Sequence, residues 1–228
     1  MKPLGGRAYG SIPHLPNSRL GPKDHHIDAG QARICTEKAR DFKDHIVVQE
    51  KLDGSCTAVA KINGAIVALN RAGYLASSSQ YGVHHQFNGW VISNEGRFLQ
   101  ALEEGERLVG EWLGMAHGTM YELEHKSPWA YFDLMRGKRR ATRDELVSRI
   151  GHRFSFPTII HEGGPISVEA AMKIHEKHRW PSDGPEGLVY RVERDGEVDF
   201  LAKWVRRDKV DGKYLPSVTG KGPVWLWG

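Results

Sequence analysis

Residues 45–55 read HIVVQEKLDGS, in which the apolar residues 46–48 are followed by Gln49, Glu50 and then Lys51. The run at residues 46–50 is typical of a buried strand, so the lysine is expected at the edge of a fold core. A free lysine has a pKa of about 10.4, and a nucleophilic lysine needs that pKa lowered by burial or by nearby cations. Taken alone, the string fits a nucleophile and a surface lysine at a strand–turn junction equally well.

The sequence on both sides of this stretch predicts paired strands. Two pairs of strand-forming runs are each joined by a dipeptide that favours a tight hairpin turn, Asn63-Gly64 in the first pair and Asp195-Gly196 in the second. Strands are predicted at residues 46–50, 55–61, 65–71, 107–113, 129–135, 187–193 and 197–205. Helices are predicted at residues 31–42, at 81–104, after the Thr142–Glu145 capping box and at 167–178. Because strands outnumber helices and hairpins join them, the sequence predicts an α+β domain built on antiparallel sheets.

The composition fits a globular protein with one large domain. The chain has 228 residues, of which 39% are hydrophobic, enough for a core without disulfide bonds. Cys35 and Cys56 form no CxxC pair, so neither a disulfide scaffold nor a cysteine zinc site is expected. No segment has the pattern of a signal peptide or a membrane span, which predicts a cytoplasmic protein without a membrane partner. The net charge of +4 fits a phosphate-rich partner and a slightly basic soluble protein equally well.

Three segments of the chain differ in composition. Residues 1–44 are rich in Gly, Pro, His and charge, and they are expected to be an N-terminal extension packed on the core. Residues 45–213 form the main domain, and residues 214–228 form a C-terminal tail. Within the extension, residues 9–16 are expected to cover the core rather than to hold nucleotide or nucleic acid. In the tail, residues 225–227 are expected to pack against the domain rather than to stack on a base.

Four further strings follow Lys51 along the chain, at or within predicted strands: Gly110-Glu111, Tyr131-Phe132-Asp133, Glu186-Gly187 and Lys203. In this order, after Lys51-Leu52-Asp53-Gly54, they resemble the motif set of the covalent nucleotidyltransferase superfamily, which comprises DNA ligases, RNA ligases and mRNA capping enzymes. The resemblance covers residues 50–206. It implies a nucleotidyltransferase (ATP-grasp-like) domain of antiparallel sheets flanked by helices, in which Lys51 attacks ATP and becomes linked to AMP.

The resemblance implies contacts between the chain and the nucleoside of ATP. Lys51 matches the family's adenylated lysine, and Glu50 stands where RNA ligases contact the adenine amino group. Arg71, twenty residues after Lys51, matches an arginine near the ribose and phosphate. Tyr131, twenty residues after Glu111, matches the aromatic residue that stacks on the base. Taken singly, Arg71 fits a cross-strand salt bridge and Tyr131 fits a core residue better than these roles.

Two carboxylates and a second lysine complete the implied site. Glu111 matches a glutamate that contacts the ribose or a metal, and Glu186 matches an acid implicated in metal binding. Lys203 matches a lysine that contacts the α-phosphate. The implied cofactors are ATP and Mg²⁺, with Mn²⁺ as an alternative metal, because Mg²⁺ prefers carboxylate and phosphate oxygens. Without the resemblance, Glu111 and Glu186 would be interpreted as solvated strand ends.

Two positions depart from the motif set. Cys56 stands where DNA ligases commonly have Arg and phage-type RNA ligases have Asn. Leu201, two residues before Lys203, stands where the last motif often has another lysine. Three basic residues further along the chain are candidates to replace it: Arg206, Arg207 and Lys209.

The expected function is ATP-dependent RNA ligation, in which a 5′-phosphate end is adenylated and then joined to a 3′-hydroxyl end. RNA is favoured over DNA because DNA ligases and capping enzymes normally have a C-terminal OB-fold. Only about 22 residues follow Arg206, too few for such a barrel, so no C-terminal OB-fold is expected. An end-healing kinase or phosphatase is a further expected partner. The alternatives are a DNA ligase, a GTP-specific capping-type enzyme and an inactive nucleic-acid-binding module.

Overall fold

The computed structural model describes residues 1–123, 126–177 and 183–227. The strands in these residues form two antiparallel sheets that are accompanied by short helices. The predicted α+β fold of antiparallel sheets flanked by helices is therefore confirmed. Among the described residues, no helix combines the length and the apolar character needed to cross a membrane.

Nine strands build the two sheets in the described residues. In chain order they are β1 His45–Glu50, β2 Ser55–Ile62, β3 Ala65–Asn70, β4 Glu106–Trp112, β5 Trp129–Arg136, β6 Arg139–Arg140, β7 Ile159–Gly163, β8 Gly187–Arg194 and β9 Glu197–Val205. Sheet A has the order β7-β1-β8-β9, and sheet B has the order β3-β2-β4-β5-β6. All seven predicted strands are present. Two strands are not predicted by the sequence: β6, which has only two residues, and β7, whose two apolar residues are followed by His and Glu.

The two predicted hairpin turns are present and join β2 to β3 and β8 to β9. Asn63 and Gly64 have φ angles of 52° and 77°, and Asp195 and Gly196 have φ angles of 52° and 78°. Two consecutive residues with positive φ give a type I′ turn, whose twist matches that of the strands it joins. The turns therefore set the register of the two longest hairpins.

Six α-helices lie beside the sheets in the described residues: α1 Ala29–Thr36, α2 Gly82–Ser93, α3 Glu95–Ala101, α4 Arg143–Arg149, α5 Val168–His175 and α6 Pro216–Thr219. The helix predicted at 31–42 begins and ends earlier, since the Asp28 side chain caps its first turn. The segment predicted as one helix at 81–104 is two helices that meet at Asn94. The helix predicted at 167–178 is α5, which Ser167 caps and which ends at His175; residue 178 lies outside the described residues.

An aromatic core packs α2 and α3 against one face of sheet B. Its members are close-packed rings, mostly tilted or edge-to-face, which is the favoured geometry for aromatic pairs. The largest are Phe87, Trp90, Phe98, Trp112, Trp129 and Phe154. The other face of sheet B packs on residues of the N-terminal extension and of β9. Sheet B is therefore buried on both faces, and the face toward sheet A is where the two sheets meet.

The C-terminal tail packs on the loop that follows β4. The Ala116 N–H donates to Val224 O at 2.9 Å, and the Leu226 N–H donates to Gly114 O at 2.9 Å. The ring of Trp227 lies 5.6 Å from that of the core residue Trp112. These contacts agree with the expectation that the tail packs against the domain.

Candidate active site

Residues from both sheets line a cleft between them. Lys51 follows β1, Arg71 follows β3, Glu111 lies on β4 and Lys203 lies on β9. These elements bring together residues that are up to 153 positions apart in the chain (203 − 50). Five of the seven implied site residues line this cleft: Glu50, Lys51, Arg71, Glu111 and Lys203.

Glu186, the sixth implied residue, reaches the cleft through an ion pair with Lys51. Lys51 Nζ donates to Glu186 Oε2 at 2.8 Å and contacts Leu52 O at 3.4 Å. Burial favours the neutral amine, yet the charges of Glu186, Glu111 and Asp53 outweigh it and raise the pKa of Lys51 above its usual value. The lowered pKa that a nucleophilic lysine needs is therefore not present in the chain without ligands. Lys51 is protonated here and must lose a proton before it can act as a nucleophile.

Glu111 is a second buried carboxyl group near the same lysine. Its Oε1 accepts a hydrogen bond from the Gly54 N–H at 3.0 Å. Burial raises the pKa of Glu111 to about 8 against the opposing charge of Lys51, and the neighbouring Glu186 contributes to the increase. The ammonium group of Lys51 is thus shared by two buried carboxyl groups, those of Glu111 and Glu186. It balances only one negative charge, so Glu111 keeps a proton near neutral pH.

Because the pKa of Glu111 is raised in the folded protein, we expect its contribution to the free energy of unfolding to decrease as pH increases. A carboxyl group with a higher pKa in the folded than in the unfolded protein contributes stability at low pH. That contribution is lost as pH rises from about 4.5 to about 8. We therefore expect Glu111→Gln to gain free energy of unfolding relative to the parent protein between pH 5 and pH 8. Urea unfolding without nucleotide at both pH values measures this, and a difference that stays constant would contradict the raised pKa.

Two motif glycines are required by close backbone approach. A Cβ atom on Gly54 would overlap the carbonyl oxygen of Trp112, and one on Gly187 would overlap that of Trp204. Gly54 allows β2 to begin against β4 directly after the lysine. Gly187 allows β8 to pair with β9 directly after the carboxylate that binds the lysine. The glycines therefore set the backbone positions of both partners of the central ion pair.

Glu50 is held at the wall of the cleft by the residue before β7. Its Oε1 accepts hydrogen bonds from the Thr158 N–H at 2.7 Å and from Thr158 Oγ1 at 2.9 Å. The side chain is buried and still lines the cleft. Its position is therefore well defined, and its contact with an adenine amino group stays a prediction.

The two implied phosphate-binding cations come from different sheets and lie against residues 8–15, here called the N-terminal segment. Arg71 Nη2 donates to Gly10 O at 2.9 Å. The Lys203 backbone forms hydrogen bonds with the same segment, and burial together with the charge of Lys51 lowers the pKa of the Lys203 ammonium. Three residues of the segment also line the cleft. The segment is therefore a wall of the cleft as well as a cover of the core.

Tyr131, the seventh implied residue, lies outside the cleft. It is 2% exposed and packs in the aromatic core on the opposite face of sheet B. The pairing of β4 with β5 shifts register between Val109 and Gly110, and Phe132 is the extra residue of this bulge. Phe132 lines the cleft. The structure therefore places Phe132, and not Tyr131, in the cleft, next to a bulge that turns both Phe132 and Asp133 toward the N-terminal segment.

Arg191 lines the cleft as well, although no motif in the sequence predicted it. Its Nη2 donates to Phe132 O at 3.2 Å and to Asp133 Oδ1 at 2.9 Å. Burial acts to lower the pKa of Arg191, but the charge of Asp133 outweighs it and raises that pKa above its usual value. An arginine inside the apolar run of β8 was the one feature of the sequence that pointed to a buried role.

The two departures from the motif set also lie in the cleft. Cys56 and Leu201 both line it, so an apolar side chain occupies the place of the second motif lysine. Lys209 is buried elsewhere and pairs with Asp53 of the nucleophile motif, with 2.6 Å between Nζ and Oδ2. None of the candidate replacements lines the cleft in the part of the chain that the structure describes: Arg206, Arg207 and Lys209.

Glu111 and Glu186 suit a metal ion that is also bound by a phosphate ligand. No group of three or more His, Cys, Asp or Glu in the described residues could hold an ion alone. Mg²⁺ is commonly bound by one or two carboxylates and completes its shell with water and substrate phosphates. Burial raises the pKa of both Glu111 and Glu186, so a divalent cation would stabilise their charged forms.

Several solved RNA ligases share the fold. Form 1 of an archaeal ATP-dependent RNA ligase superposes with a TM-score of 0.56 at 19% identity, over 87% of this chain and 48% of that chain. Form 2 has a TM-score of 0.52 at 18% identity, over 72% and 43%. A mutant of Naegleria gruberi RNA ligase has a TM-score of 0.52 at 17% identity, over 93% and 62%. This chain therefore spans about half the length of the archaeal ligases, and the likeness shows a common fold.

The sequence itself identifies the family. No curated protein matches the chain. A profile of the RNA ligase family, in contrast, matches residues 44–205. The matched residues extend from the start of β1 to the end of β9 and include Lys51, Glu111, Glu186 and Lys203. Since this match covers well over half of the sequence and the whole of both sheets, the protein belongs to the RNA ligase family.

Proposed function

We propose that the protein is an ATP-dependent RNA ligase that acts through a lysyl–AMP intermediate on Lys51. The observation that supports this most is the position of Lys51 at the end of β1, paired with Glu186 in a cleft that also contains Arg71 and Lys203. An amine between cations and carboxylates is suited to attack a phosphate that a metal ion also contacts.

The ligands of similar structures agree with this proposal. A mutant of Naegleria gruberi RNA ligase was solved with ATP and Mn, with a TM-score of 0.53 and 16% identity. Another mutant was solved with AMP and Mn, with a TM-score of 0.51 and 16% identity. We infer by analogy that the cleft of this protein binds ATP together with Mg²⁺ or Mn²⁺.

In the first proposed step, Lys51 Nζ attacks the α-phosphorus of ATP. A nitrogen–phosphorus bond forms, the bond from the α-phosphorus to the bridging oxygen breaks, pyrophosphate leaves, and the amine releases its proton to solvent. Arg71 and Lys203 neutralise the charge that develops on the α-phosphate oxygens. Glu50 accepts a hydrogen bond from the adenine amino group, and Phe132 stacks on the base. The protein's contribution is therefore mainly positioning and charge neutralisation.

Glu111 and Glu186 are the residues that would hold the divalent cation. When bound, the ion supplies positive charge to the phosphate oxygens and to the leaving pyrophosphate. With its carboxylate engaged in this way, Glu186 no longer raises the pKa of Lys51 to the same extent. Binding of the nucleotide with its metal is therefore coupled to deprotonation of the nucleophile.

The later proposed steps act on nucleic-acid ends. AMP moves from Lys51 to a 5′-phosphate, and a 3′-hydroxyl then attacks that phosphate, which seals the strand and releases AMP. RNA is the favoured substrate because the matching family is that of the RNA ligases. An end-healing kinase or phosphatase would produce these ends from termini of other chemistry.

Covalent labelling tests the proposal. The protein is incubated with α-labelled ATP or GTP and Mg²⁺ or Mn²⁺, and a denaturing gel then separates protein from nucleotide. We expect an acid-labile label from ATP, and the isolated adduct should join 5′-phosphate and 3′-hydroxyl RNA ends without added ATP. Label from GTP alone would indicate a capping-type enzyme, and joining of DNA alone would indicate a DNA ligase. No label on folded, nucleotide-free protein would overturn the proposal.

Replacement of Phe132 should weaken nucleotide binding. Stacking of a base on an aromatic side chain contributes about 1–3 kcal/mol, so Phe132→Ala should raise the KM for ATP in adduct formation roughly 5- to 150-fold. Tyr131→Phe is the matched control, since it removes only a hydroxyl from the core on the other face of sheet B. A normal KM for Phe132→Ala together with a raised KM for Tyr131→Leu, which removes the Tyr131 ring, would restore the assignment made from spacing.

A further inference from the structure

We propose that Tyr9 is a positioning residue of the nucleotide site, which orients the ring of Phe132 for stacking on the adenine base. This inference rests on the proposed function. It gives the N-terminal segment a role in nucleotide recognition beyond covering the core.

The N-terminal segment connects the two sheets across the cleft. On sheet B, the Tyr9 N–H donates to Arg71 O at 3.3 Å. On sheet A, the Lys203 N–H donates to Pro13 O at 2.9 Å, and the Leu15 N–H donates to Lys203 O at 2.8 Å. Both proposed phosphate-binding cations are thus bonded to one short segment. The path of that segment therefore fixes how the two sheets present their side chains to a shared ligand.

Tyr9 contacts both residues that the β5 bulge turns toward this segment. Its ring is edge-to-face with Phe132, with 5.3 Å between centroids and 66° between planes. Its hydroxyl donates to Asp133 Oδ2 at 3.1 Å. Tyr9 is 5% exposed, and burial raises its pKa, so the hydroxyl remains a donor across the physiological range. The Tyr9 side chain therefore packs on the ring of Phe132 and is hydrogen-bonded to the next residue, Asp133.

The ring of Phe132, beside the bulge, is packed by the protein on only some of its sides. Phe132 is only partly buried and lines the cleft, so the protein surrounds its ring incompletely. Arg191 donates a hydrogen bond to the backbone carbonyl of Phe132. This bond fixes the main chain but does not orient the ring. Contact with the Tyr9 ring limits the rotation of the Phe132 ring about its side-chain torsions. A ring that is already oriented binds the base with a smaller loss of side-chain entropy.

A double-mutant cycle tests this role, with the Kd for ATP measured by calorimetry without metal. Tyr9→Leu alone should raise the Kd about three- to tenfold, whereas adding Tyr9→Leu to Phe132→Leu should raise it less than about twofold. The maximal rate of adduct formation should stay within about twofold of the parent rate, because the Tyr9 side chain contacts Phe132 and Asp133 rather than the nucleophile. Independent, multiplicative effects on Kd would overturn the positioning role.

Tyr190→Leu is the matched control for loss of a buried tyrosine. Tyr190 is fully buried, and its hydroxyl donates to Ile166 O at 3.1 Å, but it belongs to the core of sheet A away from the cleft. The control should lose a similar free energy of unfolding and keep the parent Kd. An equal rise in Kd in both variants would indicate general loosening and would overturn the inference.

Two further outcomes separate this inference from the proposed function. If the parent binds ATP and forms lysyl–AMP while Tyr9→Leu binds ATP equally well, only the role of Tyr9 is overturned. If the folded parent forms no lysyl–AMP with ATP and Mg²⁺ or Mn²⁺, the proposed function fails, and this inference fails with it. Should Tyr9→Leu not fold, Tyr9→Phe replaces it in the cycle. Tyr9→Phe keeps the ring but lacks the hydrogen bond to Asp133, and a Kd rise of about twofold is expected only when Phe132 is present.

Discussion

The Lys51→Ala variant should form no detectable lysyl–AMP, a loss on the order of 10⁴-fold or more in the rate of adduct formation. The reason is that Lys51 is the nucleophile of the proposed first step, and no other amine in the described cleft is placed as its substitute. Lys203, the other lysine of the cleft, is hydrogen-bonded through its backbone to Pro13 and Leu15, and its Nζ lies 3.5 Å from Asp24 Oδ1. Gel detection of label from α-labelled ATP measures the loss.

Two comparisons make the Lys51 prediction specific. Lys173→Ala removes an exposed lysine from α5 and should leave labelling unchanged. Lys51→Ala should also still join RNA that is supplied with a pre-adenylated 5′ end, since that step needs only attack by the 3′-hydroxyl. Normal labelling of Lys51→Ala would refute the assignment of the nucleophile. Loss of both activities in a folded variant would show that the lysine also positions the nucleic-acid ends.

The strands and turns of this fold were predictable because their causes are local. The apolar run before Lys51 and the dipeptides Asn63-Gly64 and Asp195-Gly196 each specify their own conformation within a few residues. The order of motifs along the strands then placed five of the seven implied side chains in one cleft. The positions of the strands were sufficient for this prediction, because these residues lie at or near strand ends that meet between the sheets.

The choice between Tyr131 and Phe132 was not predictable from spacing. A strand normally alternates its side chains between two faces, and one inserted residue changes which face each side chain meets. The bulge on β5 is stabilised by Arg191 on β8, about sixty residues away, and by Tyr9 in the N-terminal segment. The sequence around residues 131 and 132 does not indicate which distant residues will contact them. The same limit explains why the N-terminal segment was expected only to cover the core.

The charge state of Lys51 was also hidden from the sequence. The motif shows Asp53 two residues away, but it does not show that Glu186 and Glu111 lie beside the ammonium group. Burial and attraction act on the lysine pKa in opposite directions, and only the geometry decides which is larger. The carboxylates of the cleft therefore keep Lys51 protonated in the chain without ligands.

Asp133→Ala should lose about 3–5 kcal/mol of unfolding free energy, because it removes the central acceptor of a buried charge network. Asp133 is fully buried. Its Oδ1 accepts from Arg191 at 2.9 Å, and its Oδ2 accepts from Arg140 at 2.9 Å and from Tyr9 at 3.1 Å. Without Asp133, the buried guanidinium of Arg191 would keep only carbonyl acceptors and Glu193 at 3.8 Å. Urea unfolding followed by circular dichroism measures the change.

The remaining charge, rather than the lost contact, is expected to dominate the cost of Asp133→Ala. Adding Arg191→Met should therefore recover part of the stability, since a buried ion pair replaced by apolar groups is often close to neutral. Glu169→Ala breaks an exposed pair with Lys173 and should cost about 0.5 kcal/mol or less. A similar small cost for Asp133→Ala would show that solvent reaches Arg191. The same network fixes the β5 bulge, so Asp133→Ala should also weaken ATP binding at pH values where the protein remains folded.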